Sequence, residues 1–167
     1  MRFAPLTREM ALESLHWRYE APYDFYNAPP DQVEPEGSDP KSAFYGIVNE
    51  QGELLASCHF GRDAQVRGGD YRCEALDVGI RVRPDLTGRG QGAAFGAALL
   101  EFTQRTFAAP VLRVTIAEFN GRSQRLAVKA GFRPVSRFLR KRDGMPFVVM
   151  VRESREPSPN RRRDLRQ

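Results

Sequence analysis

"RVRPDLTGRGQGAAFGAALLEF", Arg81–Phe102, joins the end of a strand to a glycine loop and a helix. Pro84 stops the strand, because the residue before a proline is pushed out of regular pairing geometry. Gly88, Gly90 and Gly92 then alternate with Arg89 and Gln91, and Ala93 opens an Ala-rich apolar run. Phe95, Leu99 and Phe102 fall on one stripe of a helix predicted from about Gly90 to Phe107. Glycines before a helix let the backbone wrap an anion. Successive N–H groups make a nest, and the helix N-terminus adds its positive end. The spacing therefore predicts a phosphate-binding loop over residues 88–93, with Arg89 adding charge.

The neighbouring sequence narrows which phosphate. No Gly-Lys-Ser/Thr follows, so this is not a nucleotide-triphosphate loop. Gly88-x-Gly90-x-x-Ala93 satisfies the dinucleotide string, but "RPDL" separates it from its strand. Glu118, the next acid after the following strand, also lies beyond the usual spacing of about 20 residues. Upstream come a short strand at Phe3–Leu6 and a helix, Arg8 to about Tyr19, capped by Thr7, with Leu12, Leu15 and Tyr19 on one face. "AFYGIVN", "ELLASCHFG" and "YRCEALDVGIRV" read as an antiparallel meander. Leu76, Val78, Ile80 and Val82 alternate there with Asp77, Gly79 and Arg81. Downstream, "VLRVTIAEF" is a buried strand, so strand, helix, strand makes a parallel crossover. Asn120 caps a helix that ends near Ala130 with Gly131 after it. "FRPVSRFLRK" and "PFVVMVR" flank an Asp-Gly hairpin turn. A third reading then remains for the glycines, the pyrophosphate of an acyl-CoA.

Two segments carry a family resemblance. "VRPDLTGRGQGAAFGAALL" resembles the pyrophosphate motif of the GNAT superfamily of N-acetyltransferases, R/Q-x-x-G-x-G/A, with Thr87 at the R/Q position. "FNGRSQRLAVKAGF" is similar to the family segment N-x-x-S-x-x-(apolar)-x-x-K-x-G-F, in the version of the ribosomal-protein alanine acetyltransferase branch. The resemblance implies a mixed α/β (α+β-like) fold with a central mixed sheet of about seven strands and helices on both faces. The sheet would be splayed between the strands that flank the loop helix. It implies acetyl-CoA as cosubstrate, held by Thr87, Gly88, Arg89, Gly90, Gln91, Gly92, Ala93, Asn120 and Ser123. Backbone groups around Ile80 and Val82 would hold the pantetheine, whose amides need partners.

Acetyl transfer to an amine needs a proton acceptor and a donor for the thioester oxygen. By resemblance, Asp77 is the first candidate base, with Glu74 and Glu118 in reserve, and a backbone N–H near Val78–Ile80 the donor. His16 is a weaker base candidate. The Tyr that many relatives use as acid is replaced by Ala127, which leaves Ser123 to protonate the thiolate. Arg122, Arg125 and Lys129 share a helix face and suit either solvent or the 3′-phosphate of CoA.

The acceptor side should be covered by "HWRYEAPYDFYNAPP", with Trp17, Tyr23, Asp24 and Tyr26 against the substrate. Asp31, Glu34, Glu36 and Asp39 make the next stretch acidic, which favours a cationic amine or a peptide N-terminus. A non-catalytic acyl-CoA-binding sensor is the alternative.

Composition bounds the rest. The 167 residues fit one domain over 1–152, with a disordered Arg-rich tail over 153–167. Six Arg against three acids from Arg152 onward carry +3 of the net +5. The folded part is then too weakly basic for a nucleic-acid footprint. No run is long enough to span a bilayer and "MRFAPLTREM" lacks a signal-peptide core, so a cytoplasmic monomer or homodimer is expected. Two cysteines, Cys58 and Cys73, are each expected buried and reduced in a strand, and no metal site is expected.

Overall fold

Period-two alternation of apolar residues builds the sheet, and a computed structural model shows it for residues 1–29 and 43–153. The acids from Asp31 to Asp39 and the tail from 154 lie outside the described residues. β1 (Arg2–Pro5), β2 (Ala43–Val48), β3 (Leu54–Phe60) and β4 (Leu76–Val82) form an antiparallel meander. β5 (Val111–Ala117), β6 (Arg133–Leu139) and β7 (Pro146–Glu153) complete a seven-stranded mixed sheet in the order β1-β2-β3-β4-β5-β7-β6. The helices are α1 (Arg8–Leu15), α2 (Gly92–Phe107) and α3 (Gly121–Lys129).

One face of the sheet carries the main core. Ile47, Ala56, Cys58, Phe60 and Val78 of the meander join Leu112, Ile116, Val148 and Met150 of the other half beneath Phe95 and Leu99 of α2. Each Val, Leu, Ile, Phe or Met side chain among them contributes about 1.5–3 kcal/mol on burial. α3 crosses α2 closely at Gly92, where a Cβ would come within 2.5 Å of Leu126 Cδ1.

Three element boundaries differ from the expected ones, each through side-chain chemistry. α1 stops at Leu15 rather than Tyr19. Arg18 Nη1 donates to the carbonyls of Leu15 and Trp17, and Tyr19 N donates to Asn27 Oδ1, so the chain turns out of the helix. α2 starts at Gly92 because Gly88 and Gly90 sit at φ +74° and +77°, outside helical geometry. β4 starts at Leu76 rather than Tyr71. Asp70 binds Arg72 N, Arg113 takes the Cys73 carbonyl, and Tyr71 turns its hydroxyl to Thr115, so this stretch has no ladder. Cys73 is consequently exposed, unlike the buried Cys58.

β4 and β5 are paired only at Leu76–Leu112 and Asp77–Arg113. From Val78 onward the two strands part, and the sheet opens along this seam.

Candidate active site

Backbone alternation decides which groups face the opening. The Asp77 carbonyl accepts from Gly61 N, and Arg83 N donates to the Leu55 carbonyl, both on the β3 side. The N–H and C=O groups of Val78, Ile80 and Val82 therefore point into the gap. This is the edge on which the sequence placed pantetheine. The Ile80 side chain is exposed there, at 38%. The Val82 carbonyl accepts from the Tyr19 hydroxyl at 2.6 Å.

The glycine loop lies at the end of that edge. Residues 84–86 make a 3₁₀ turn, and the Thr87 hydroxyl donates to the Pro84 carbonyl at 2.8 Å. Its proton is thus directed into the turn rather than toward a phosphate. Gly88 and Gly90 supply the left-handed backbone, and Gly90 faces open space. No side chain caps α2, and Arg89 is exposed. Uncapped first-turn N–H groups beside an exposed cation suit a phosphate chemically. The seam and the loop together fit a CoA-type ligand.

Asp77, Gly79 and Arg81 alternate onto the face opposite the core, and each meets something different. Asp77 is 3% exposed. Its two oxygens accept from Arg113 Nε at 2.6 Å and Arg113 Nη2 at 2.7 Å, with Gln65 Nε2 adding a bond at 2.8 Å. Three donors thus occupy the buried carboxylate, two on Oδ2 and one on Oδ1, and its charge is paired with the Arg113 guanidinium. Gly79 is overlain by His59 of β3, its register partner; a Cβ on Gly79 would sit 2.2 Å from His59 Nε2. Neither imidazole nitrogen has a hydrogen-bond partner among the described residues. Burial pushes the His59 pKa below its usual value; Asp63 opposes this and Arg81 adds to it. Arg81 lies against the rings of Trp17 and Tyr19, each 5.7 Å from its Cζ. Its Nε and Nη2 are buried without a partner.

Residues 17–27 cross the seam. Tyr19 holds Val82 on one side. On the other, Asn120 Nδ2 donates to the Tyr26 hydroxyl at 3.1 Å, while Asn120 Oδ1 accepts from Ser123 N and caps α3. Burial raises the pKa of both Tyr19 and Tyr26. Tyr23 lies under Arg122, 3.7 Å from ring centroid to Cζ, and Phe25 packs on Phe119 and Phe147. Trp17 is buried with Val48 and Leu54.

The structure thus brings Trp17, Tyr19, Tyr23, Tyr26, Asn120 and Ser123 to the seam. It does not bring the reserve acids there. Glu74 is exposed on the rim of a hollow of about 370 Å³ beside Arg72 and Asp77. Glu118 is exposed and pairs with Arg137 of β6 at 2.9 Å. Asp24 and His16 are exposed, the latter bonded to the Leu12 carbonyl through Nδ1. Sequence reasoning missed His59 and Arg81. Position 59 falls out of the apolar alternation of Cys58 and Phe60, and Gly79 marks space taken by a neighbour. Only the β3–β4 register joins these two hints. Among the described residues no cluster of three or more His, Cys, Asp or Glu could hold a metal, and no helix is long and apolar enough to cross a membrane.

Comparison with known proteins agrees with this architecture. A family model, the acetyltransferase (GNAT) domain, matches residues 5–133. The chain belongs to the GNAT acetyltransferases. A chimera of the Vibrio cholerae spermidine N-acetyltransferase SpeG and hSSAT superposes with TM-score 0.66 at 14% identity, over 91% of this chain and 94% of that one. The V. cholerae spermidine N-acetyltransferase in complex with CoA and spermine gives 0.54 at 13% identity, over 67% and 65%. A GnaT-family protein from Bordetella pertussis gives 0.53 at 26% identity, over 66% and 65%. No curated protein matches the chain.

Proposed function

We propose that the protein transfers an acetyl group from acetyl-CoA to a primary amine by direct attack. The observation that carries this reading is the open β4–β5 seam ending at an uncapped, glycine-lined helix start. Acetyl-CoA supplies the activated acetyl group as a thioester. The N–H groups of Gly92 and Ala93, with Arg89, hold its phosphates, and the Val78, Ile80 and Val82 edge holds its amide chain. For the chain to lie along this edge, the Tyr19 hydroxyl releases the Val82 carbonyl.

An attacking amine must be neutral, and its proton must leave as the C–N bond forms. His59 Nε2 is the group placed to take it: it overlies Gly79, midway along the open edge, and is neutral at physiological pH. An N–H in the Val78–Ile80 stretch donates to the thioester oxygen as charge builds there. As the C–S bond breaks, the Ser123 hydroxyl, in the first turn of α3, relays a proton from water to the leaving sulfur and regains one from water, while His59 returns the amine proton to solvent. Asp77 acts at one remove, fixing the point where the seam opens through Arg113.

The test follows CoA release with a panel of amines and reads the products by mass spectrometry. Amine-dependent release with a product heavier by one acetyl group is the expected result. Tight acetyl-CoA binding without amine-dependent release would replace this reading with a CoA-binding sensor.

A further inference from the structure

Arg81 and Arg113 present the same edge of the guanidinium, Nε with Nη2. In Arg113 that edge grips both oxygens of Asp77. In Arg81 the two atoms are buried and have no partner. Buried donors left without an acceptor are unfavourable, and the planar fork of an arginine matches a carboxylate in two parallel bonds. Stacking against Trp17 and Tyr19 fixes the plane of the fork, so little freedom remains to be lost on binding.

Position matters as much as charge. Arg81 follows Gly79 on the same face, roughly 7 Å further along β4. His59, the proton acceptor proposed above, covers Gly79. A ligand that puts its amine at His59 and reaches Arg81 spans only a few bonds between amine and anion.

We infer that the acceptor is a small amine bearing a carboxylate, such as an amino acid, and that Arg81 Nε and Nη2 receive that carboxylate. This rests on the acetyl-transfer reading and makes it specific. It also departs from the expectation drawn from the acids at 31–39, which lie outside the described residues; the described residues at this face offer two unpartnered guanidinium donors instead. Because the fork is out of contact with solvent, the ligand displaces side chains rather than water to reach it.

The experiment uses the full chain, acetyl-CoA, and amino acids each matched with the amine that lacks the carboxylate: glycine with methylamine, β-alanine with ethylamine, L-phenylalanine with 2-phenylethylamine. Spermidine is added as a polycation. The expected result is that at least one acid exceeds its partner in kcat/KM by about tenfold or more. In Arg81→Gln that advantage disappears while acetyl-CoA affinity, measured by calorimetry, is retained. Arg81→Lys keeps the charge but not the fork, is the second variant should the first fold poorly, and is expected to keep only part of the advantage. Preference for spermidine or for the carboxylate-free amines would overturn the inference and leave acetyl transfer standing. So would an Arg81→Gln enzyme that still favours the acids. Acetyl-CoA binding with no amine-dependent release from any of these compounds would overturn both.

Discussion

Arg113 and Arg81 stand on neighbouring strands and the same face of one sheet, yet their surroundings differ. Arg113 lies where β4 and β5 are still joined, and its fork is closed on Asp77. Arg81 lies where the strands have parted, and its fork is empty. The closed half of the seam is a structural clamp; the open half keeps its backbone edge, a neutral imidazole and a cation available. A strand that changes from one condition to the other within five residues can both hold a fold together and hold a substrate.

Breaking the closed half should have the largest effect. Asp77→Asn leaves Arg113 buried beside a neutral amide, and loss of one member of a buried pair costs about 3–5 kcal/mol. Denaturant unfolding should show this as a lower midpoint with an unchanged slope. If Asp77 were a solvated base instead, stability would stay within about 0.5 kcal/mol of wild type while turnover fell.

The open half is useful only if a ligand is anchored at its end. Gly90→Asp combines a side chain at φ +77° with a negative charge at the nest. Acetyl-CoA affinity should fall roughly 100-fold, about 2.8 kcal/mol. Titration calorimetry with wild-type affinity in this variant would remove the phosphate role from the loop.

How far these contrasts could be read in the chain follows from what sets them. Strand order, the crossover and the glycine loop are local signals: alternation, a proline stop, glycines before an apolar stripe. They give, in order, the seven strands and three α-helices found among the described residues, with ends displaced where side chains such as Arg18 and Asp70 take over backbone partners. Asp77 could be placed on the face opposite the core, but not in its ion pair. Arg113 is 36 residues away in sequence and meets it only through the parallel register. His59 and Arg81 were hidden for the same reason. Each looks like an ordinary strand residue until β3 is laid beside β4.

A smaller effect sharpens the comparison within the open half. Burial and Arg81 depress the His59 pKa below its usual value of 6.5, whereas the unfolded chain keeps that value. Between the two, the unfolded state binds the proton and the folded state does not. Stability is therefore complete above pH about 6.5 and is lost as pH falls toward the folded pKa, by at most about 1.4 kcal/mol per pH unit. His59→Gln should flatten this part of the stability–pH curve, measured by thermal unfolding between pH 5 and about 7.5. It should also remove the corresponding acidic limb, the fall in kcat/KM at low pH, from the pH profile. An unaltered profile would mean that His59 takes no proton.

The least sensitive position should be Glu118, although it follows the same strand as Arg113. Its carboxylate leaves the sheet toward Arg137 on the outer strand, and both side chains are solvent-exposed. An exposed pair of this kind is worth about 0–1 kcal/mol, because water screens it and two long side chains must be ordered to form it. Glu118→Gln should therefore change stability by less than about 0.5 kcal/mol and leave turnover unchanged at every pH. A tenfold loss of kcat with normal acetyl-CoA affinity would place the acceptor at the β5 end of the seam, away from His59 and Arg81. The contrast between the two arginines would then describe the stability of the sheet alone.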